Sequence, residues 1–584
     1  MTRPVRIGNA SAFYGDRLSS MRHLVDSADL DVITGDYLAE LTMLILWKAR
    51  QKNPDTGYAR TFLTQFEQVA VACAERGIKI VVNAGGLNPA GMAEAVRGLI
   101  ADADLDLKVA HVEGDDLIPQ LDALRAAGEP FRHLDTGAAL DDAGVTPVSA
   151  NAYLGGWGIA SALSRGADVV ITGRVTDAAL VVGVGAWWHG WTRTDYDALA
   201  GAVAAGHVIE CGPQATGGNY SQLGEITDRR YPGSPIAELA ADGSFVITKT
   251  TDSGGLVSPG TVIAQLLYEV ASPAYVNPDV VAHFDTLTVT SEGPDRVRVA
   301  GTTGTAPPPS LKVAMNYVGG YRNTMTMVLT GLNIDDKAAW ALEELFGILG
   351  GRDRFDDVDV QLLRYDKPDP ASVVEATAHL RVTVKDADKA KVDRAFSNAV
   401  IELAVAGYPG FHTTTPPASA SEFGVYWPTL VPAKAVVHTV VHHDGAREVI
   451  AHPIETAQPV PAAPALPAPA VDFGPTTRRP LGEVVAARSG DKGGNANVGV
   501  WTDTPERWDW LRHHLSVDRF RTLVGEAAGL EVRRYEFPNL KPLNFVIVGF
   551  LGEGVASCTK TDPQAKGLGE YLRALYTDIP DKLV

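Results

Sequence analysis

The sequence predicts an α/β chain, with a parallel sheet covered by helices first, an α+β segment after it, and a small α+β sandwich at the end. Three observations predict it. β-Branched runs alternate with amphipathic stretches through the first half, a period-two pattern takes over from about Phe284, and a Pro/Ala-rich run from Pro459 to Pro480 sets off the remainder. The 584 residues accommodate about three to five domains at roughly 100–200 residues each. Such a length buries a large core without disulfides or metals.

In chain order, the strand candidates of the first half are Val5–Ile7, Leu30–Ile33, Lys79–Asn83, Asp106–Val112 and Val169–Thr172. The amphipathic stretches between them include Arg60–Glu75, Gly91–Ala101 and Gly156–Arg165. Strand, loop, helix, strand at this spacing predicts a Rossmann-like parallel domain over residues 1–283. The runs Thr286–Thr290, Arg296–Val299 and Leu380–Val384, with the helical run Asp388–Ala404, predict an α+β domain at 284–453. Residues 454–480 read as a semi-extended linker, because proline lacks the N–H and fixes φ. Over 481–584 the order is strand (Gly482–Ala487), strand (Asn497–Thr502), helices (Pro505–Gly525), strand (Glu531–Glu536), strand (Leu543–Gly549) and helix (Gln564–Tyr576). That order suggests a ferredoxin-like α+β sandwich.

Lys plus Arg number 51 and Asp plus Glu 70, a formal charge of −19, and a field of that sign repels nucleic acid and anionic lipid. Cys73, Cys211 and Cys558 stand far apart, which fits a reducing compartment and no metal site. The most apolar stretch, Ala167–Trp188, is interrupted by Asp168, Arg174 and Asp177, so no membrane span is expected. The start of the chain enters a strand-like run with no hydrophobic leader. These features predict a cytoplasmic protein that acts on a small molecule, has no nucleic acid or membrane partner, and forms a homo-oligomer.

In a parallel sheet, ligands bind beyond the carboxyl ends of the strands, and several ends here are small and polar. Asn9 and Ser11 follow the first strand, without the G-x-G-x-x-G spacing of a dinucleotide turn. Asp36 and Glu40 stand four apart at a helix start, hence on one face, as candidate acid and base. Complementing the helix dipole would ask no chemistry of them. Arg174 and Asp177 follow the strand Val169–Thr172, either as a carboxylate-binding cation with a base or as a plain ion pair.

The loops Ala84–Gly91 and Ser253–Gly260 resemble one another. Gly85, Gly86, Gly254 and Gly255 either aim N–H groups at an anion or make tight strand-to-helix turns. Asn219 lies in a glycine-rich loop suited to a ligand contact or to a plain connection. His207 and Glu210, in a strand-like Val-Ile setting, are expected on opposite sides, which argues against a metal. Cys211 reads as a small buried residue. The most unusual run is Arg488-Ser-Gly-Asp-Lys-Gly-Gly-Asn-Ala-Asn497. It reads as an anion-cradling loop in which Arg488, Asp491, Lys492 and Asn495 contact the ligand. Turn geometry alone would leave its charged side chains without a task.

Taken together, Ile7-Gly-Asn-Ala-Ser-Ala-Phe-Tyr-Gly-Asp16, Thr34-Gly-Asp-Tyr-Leu-Ala-Glu40, Asn83-Ala-Gly-Gly86, Thr172-Gly-Arg-Val-Thr-Asp-Ala178 and Asp252-Ser-Gly-Gly-Leu256 resemble the acyclic terpene utilisation (AtuA-type) family. Ala487-Arg-Ser-Gly-Asp-Lys-Gly-Gly-Asn-Ala-Asn497 and Leu543-Asn-Phe-Val546 resemble the ferredoxin-like domain that accompanies it. The family takes its name from operons that degrade citronellol and geraniol through branched acyl-CoA thioesters. The resemblance therefore implies an enzyme of terpenoid or branched-chain acyl-CoA or carboxylic acid catabolism, of lyase or hydratase type. It carries over no catalytic residues. The loops themselves nominate Asp36, Glu40 or Asp177 as base, glycine-loop N–H groups or Asn219 for the oxyanion, and Arg488 with Lys492 for phosphate or carboxylate. No cofactor is expected beyond coenzyme A as part of the substrate. The rival expectation is a non-catalytic subunit or scaffold that partners an acyl-CoA carboxylase.

Overall fold

The computed structural model describes residues 3–459 and 472–584, apart from the side chain of Glu40. The middle of the expected linker, 460–471, lies outside the described residues. The chain divides into two compact units. Met1–Asn316, Tyr426–Val555 and Asp562–Val584 form one, and Tyr317–Val425 with Ala556–Thr561 form the other.

The larger unit is built on an eleven-stranded sheet whose centre is parallel. The strands β1 (Val5–Asn9), β2 (Val32–Gly35), β3 (Lys79–Val82) and β4 (Val109–Glu113) come first. They are followed by β5 (Ser149–Ala152), which pairs elsewhere, and β6 (Val169–Thr172). The parallel order is β1-β2-β3-β6-β4. Ile7, Val32, Ile33, Val81, Val82, Val170 and Ile171 are all buried, as β-branched strands covered on both faces should be. The helix Arg60–Arg76 packs Phe62, Phe66, Val69 and Cys73 onto this sheet, and Pro89–Asp102 packs Met92, Val96 and Ile100. Their apolar residues recur at helical spacing, so one face of each is dry.

Both edges of the sheet are antiparallel. The strand β7 (Pro235–Leu239) pairs with β1, and β8 (Phe245–Lys249) pairs with β7. The hairpin Thr288–Gly293 and Arg296–Ala300 extends that side; on the other, Thr439–Val441 pairs with β4 and Arg447–Val449 pairs in turn with Thr439–Val441. Segments on either side of residue 317 thus build one sheet.

The C-terminal segment holds a four-stranded sheet of Ala486–Lys492, Asn495–Trp501, Val532–Glu536 and Pro542–Ile547. Every neighbour is antiparallel, in the order first, second, fourth, third. This corrects the loop expected at Arg488–Asn497. The run is a β-hairpin with Lys492 opposite Asn495 and a turn at Gly493-Gly494, where Gly493 takes a φ of +63°. The period of two then puts Arg488, Gly490 and Lys492 on one face.

In the smaller unit, Thr377–Asp386 pairs on one side with Tyr321–Thr330 and on the other with Asp357–Arg364. The helices Ile334–Leu349 and Arg394–Ala406 cover it. Met325, Met327 and Leu329 alternate inward against Leu345, Phe396 and Val400. No helix among the described residues is long and apolar enough to cross a membrane.

Candidate active site

Because the five central strands run parallel, their carboxyl ends share one rim, which receives Asn9, Asp36, Asn83, Asp115 and Arg174. Asp36 leaves β2 with its N–H donating to Ser11 O at 2.9 Å. Its Oδ1 accepts from Asn83 Nδ2 at 2.5 Å and from Leu38 N at 3.1 Å. Asn83, at the end of β3, is fixed in turn by accepting from Tyr37 N at 2.7 Å.

Arg174 is the cation at the centre, only 3% exposed. Its Nη1 donates to Asp177 Oδ1 at 2.6 Å and to Leu38 O at 3.1 Å. Its guanidinium lies over the Tyr153 ring, 4.2 Å from the centroid. Its backbone N–H donates at 2.8 Å to Asp115 Oδ2, which also accepts from Asn151 Nδ2 at 2.8 Å. Asp115 is buried, and burial pushes its carboxyl up to about 7. A cation held by a ring, a carbonyl and a carboxylate is pre-oriented before any ligand arrives.

The helix Tyr196–Ile209 ends here and overturns a sequence expectation. His207 and Glu210 do not face opposite sides, because the residues before Glu210 are helical and a spacing of three puts the pair on one face. His207 Nδ1 lies 3.2 Å from Glu210 Oε1 without hydrogen-bond alignment. The Tyr275 and Phe284 rings flank the imidazole at 5.0 and 5.7 Å. Glu210 Oε2 is buried without a hydrogen-bond partner among the described residues, and the His207 imidazole is met by the Gln265 backbone. An unpartnered buried group costs about 1–3 kcal/mol, so its retention in a fold points to function.

Burial raises the Glu210 carboxyl well above the usual range, and the charges of Asp177 and Glu269 raise it further against Arg174 and Lys492. Asp36 is raised in the same way, by burial first, then by Asp177, against Arg174 and the Asn83 hydrogen bond. Burial drives His207 down to about 4, so its imidazole is neutral. Two buried carboxyls whose proton affinity is raised therefore stand near Asp177, whose side chain is 25% exposed and paired with Arg174. Environments that push carboxyl groups apart in this way divide acid from base roles.

The C-terminal hairpin closes on this cluster from its Arg488-Gly490-Lys492 face. Arg488 lies over the Tyr268 ring at 4.1 Å, and its Nη2 donates to Gln214 Oε1. Gly490 lets the Tyr268 ring approach, since a Cβ there would stand 2.1 Å from it. Lys492 Nζ donates to Glu269 O at 2.7 Å, and Glu269 N donates to Asn497 Oδ1 at 2.9 Å. Glu269 has a left-handed φ of +57°, unusual for a long side chain, and the hairpin grips it at both backbone groups. The C-terminal domain thus meets the N-terminal rim within one chain.

The other sequence candidates have different surroundings. Asn9 Nδ2 donates to Ser11 O, Ile209 O and Glu210 O at 2.8–3.0 Å, which makes it a brace for the Glu210 backbone. Ser11 Oγ donates to Phe13 O at 3.2 Å. Gly85 and Gly86 make the turn into Pro89–Asp102, capped by Asn88 with proline at its start. A Cβ on Gly85 would strike Thr172 O, so β6 packing requires that glycine. Gly254 and Gly255 lead into Pro259–Leu267, capped by Ser258, and sit against Arg230 and Thr216. Asn219 is exposed at a left-handed φ of +57°. Asn495 donates to Asp135 Oδ1 at 2.8 Å. Asp491 faces Ala496 across the hairpin, and its charge reaches Tyr268. Of Glu40, the structure places the backbone, at the start of the helix Glu40–Lys52.

Sequence reasoning missed His207, Glu210, Glu269 and Asp115 as site members. A helical reading of the Ala- and Gly-rich run 196–209 would have joined the first two. Glu269 and Asp115 carry no local signal. Among the described residues no group of three or more His, Cys, Asp or Glu side chains is placed to hold a metal ion.

No curated protein and no solved structure matches the chain. Two family models do. The AtuA ferredoxin-like domain matches residues 479–577, the segment that carries the hairpin. The other model, described as acyclic terpene utilisation family protein AtuA, matches residues 5–442. That span contains all five parallel strands and the rim that holds Asp36, Arg174, Asp177 and Glu210, and the chain belongs to the AtuA family.

Proposed function

We propose that the protein is an enzyme of terpenoid or branched-chain acyl-CoA or carboxylic acid catabolism, adding or removing a small group across a carbon–carbon bond next to an acyl carbonyl, as a hydratase or lyase. One observation carries the reading: two buried carboxyls, Asp36 and Glu210, share a cluster with a fixed guanidinium and a partly exposed carboxylate. Arg174 suits the acyl oxygen, where negative charge develops. Asp177, partly exposed and paired with Arg174, suits the base that takes a proton from the α-carbon or from water. Glu210, or Asp36, suits the acid that returns a proton to the other side. Lys492 and Arg488 suit the anionic end of the ligand or hold the wall that receives it. On this reading the parallel sheet is a Rossmann-like frame, and the C-terminal sandwich is a ferredoxin-like wall of the same site.

The test is turnover of branched 2-enoyl thioesters, followed by loss of their ultraviolet absorbance. Glu210→Gln keeps the shape of the side chain and adds no charge to its buried position, so the melting temperature should stay near wild type. Turnover should fall at least about 100-fold, the lower range for losing general acid catalysis. A wild-type protein inert toward the thioesters and toward the corresponding hydroxyacyl forms would sink the reading. Full activity in Glu210→Gln would remove Glu210 from it.

A further inference from the structure

A cavity lies at the start of the helix Trp157–Ser164. Its walls include Trp157, Leu311 and Ile450, with Arg193, Asp279, His438 and His452 as polar members, and its volume is about 40 Å³. A single water needs roughly 10–15 Å³ by this measure, so the space suits a molecule of a few heavy atoms.

The polar groups are arranged with opposite charges facing one space. Arg193 rests on the Trp157 ring at 4.7 Å and makes no hydrogen bond or ion pair among the described residues. Asp279 is 6% exposed, and its Oδ2 accepts from Gly156 N at 2.7 Å, which fixes the carboxyl at the start of the helix Trp157–Ser164. Arg193 and Asp279 feel each other's charge without touching. His438 Nε2 is buried with no hydrogen-bond partner. A half-buried guanidinium that pairs with no anion among the described residues and a buried carboxyl line one cavity with His438 and His452, and most of its other walls are apolar. Recognition of this kind requires a few placed polar groups in an apolar cleft.

We propose that this cavity binds a small zwitterion, an α-amino acid with a short apolar side chain, whose carboxylate meets Arg193 and whose ammonium meets Asp279. Arg193 and Asp279 are too far apart to pair, and a ligand with the two charges reversed bridges them. The side chain lies against Trp157, Leu311 and Ile450. The assignment is separate from the proposed reaction and does not depend on it.

Isothermal titration of the full chain with L-alanine tests this, with propionate and ethylamine as probes that each lack one charge. Alanine should bind saturably in the millimolar range, and each single-charge probe should bind at least about tenfold more weakly. Arg193→Gln and Asp279→Asn should each weaken alanine at least about tenfold, and Lys492→Ala should leave its affinity unchanged. Ala433→Leu, which fills the wall, should abolish binding and serves where Asp279→Asn fails to fold. Absence of saturable alanine binding overturns the proposal. So does propionate or ethylamine binding as well as alanine, or loss of binding in Lys492→Ala with none in Arg193→Gln.

Discussion

Arg174 in the larger unit and Arg364 in the smaller one make similar bonds in different solvents. Arg174 Nη1 meets Asp177 Oδ1 at 2.6 Å with its own side chain 4% exposed, and Arg364 Nε meets Asp366 Oδ1 at 2.7 Å with its side chain 47% exposed. In the exposed pair, the hydrogen bond from Arg364 holds the Asp366 carboxyl below its usual range, and water screens the rest. Around Arg174 there is little water to screen. Burial and the charge on Asp177 act together on Asp36 and Glu210 and raise both carboxyls well above the usual range. The same kind of ion pair acts differently on its neighbours through its surroundings, since neither the bond length nor the residue types differ enough to matter.

Removing the cation should separate the two regions most. Arg174→Met leaves Asp177 facing two buried carboxyls. It should cost about 3–5 kcal/mol in chemical denaturation, the range for breaking a buried pair from one side, and it should abolish activity. Arg364→Met should leave the denaturation midpoint where it is. Equal shifts in the two variants would erase the distinction.

A pH series sharpens it next. Asp115 holds its proton up to about 7 in the folded chain, against an ordinary value of 3.8. Between those values the native state binds a proton that the unfolded state has released, so stability falls as pH rises. Below about 4 both states are protonated and the contribution is complete. The loss across the window is up to roughly 4 kcal/mol. Asp115→Asn cannot titrate and should show a flatter dependence between pH 4 and 7 by urea denaturation. A slope identical to wild type would mean that Asp115 is ionised in the native state.

Smaller effects should follow at the hairpin. Lys492→Met removes the donor on Glu269 O, so Glu269 should lose its fixed left-handed backbone. Turnover should drop about tenfold, while stability stays within about 1 kcal/mol. Unchanged turnover would make the hairpin a wall and nothing more. The smallest change is expected at Asn219, where glycine suits the left-handed φ at least as well. Asn219→Gly should alter neither the melting temperature nor the turnover, and a tenfold loss of turnover would return Asn219 to the list of ligand contacts.

The legible parts of the site share a cause. Asp36, Arg174 and Asp177 stand directly after β-branched runs, and a strand end can be found from a few residues of sequence, which is why Val5–Asn9, Lys79–Val82 and Val169–Thr172 fall where those runs lie. His207 and Glu210 escape a sequence reading because two β-branched residues outweigh the longer Ala/Gly-rich run, whose helix is buried all round and lacks an amphipathic stripe. The glycines of Arg488–Asn497 hide its period of two, so the sequence points to a loop there. Once paired, that same period put Arg488 and Lys492 on one face.

The sequence by itself determined the parallel strands, their polar ends and the family, because each depends on neighbours within a few positions. Only the tertiary structure decided which of those ends became a site. Glu269 is reached by Lys492 and Asn497 more than 200 residues away, and Glu210 is braced by Asn9 from 201 residues away. Protonation was decided there as well. A carboxyl's state follows from how much water it loses and which charges surround it, and both are properties of the packed chain that no local run of residues contains.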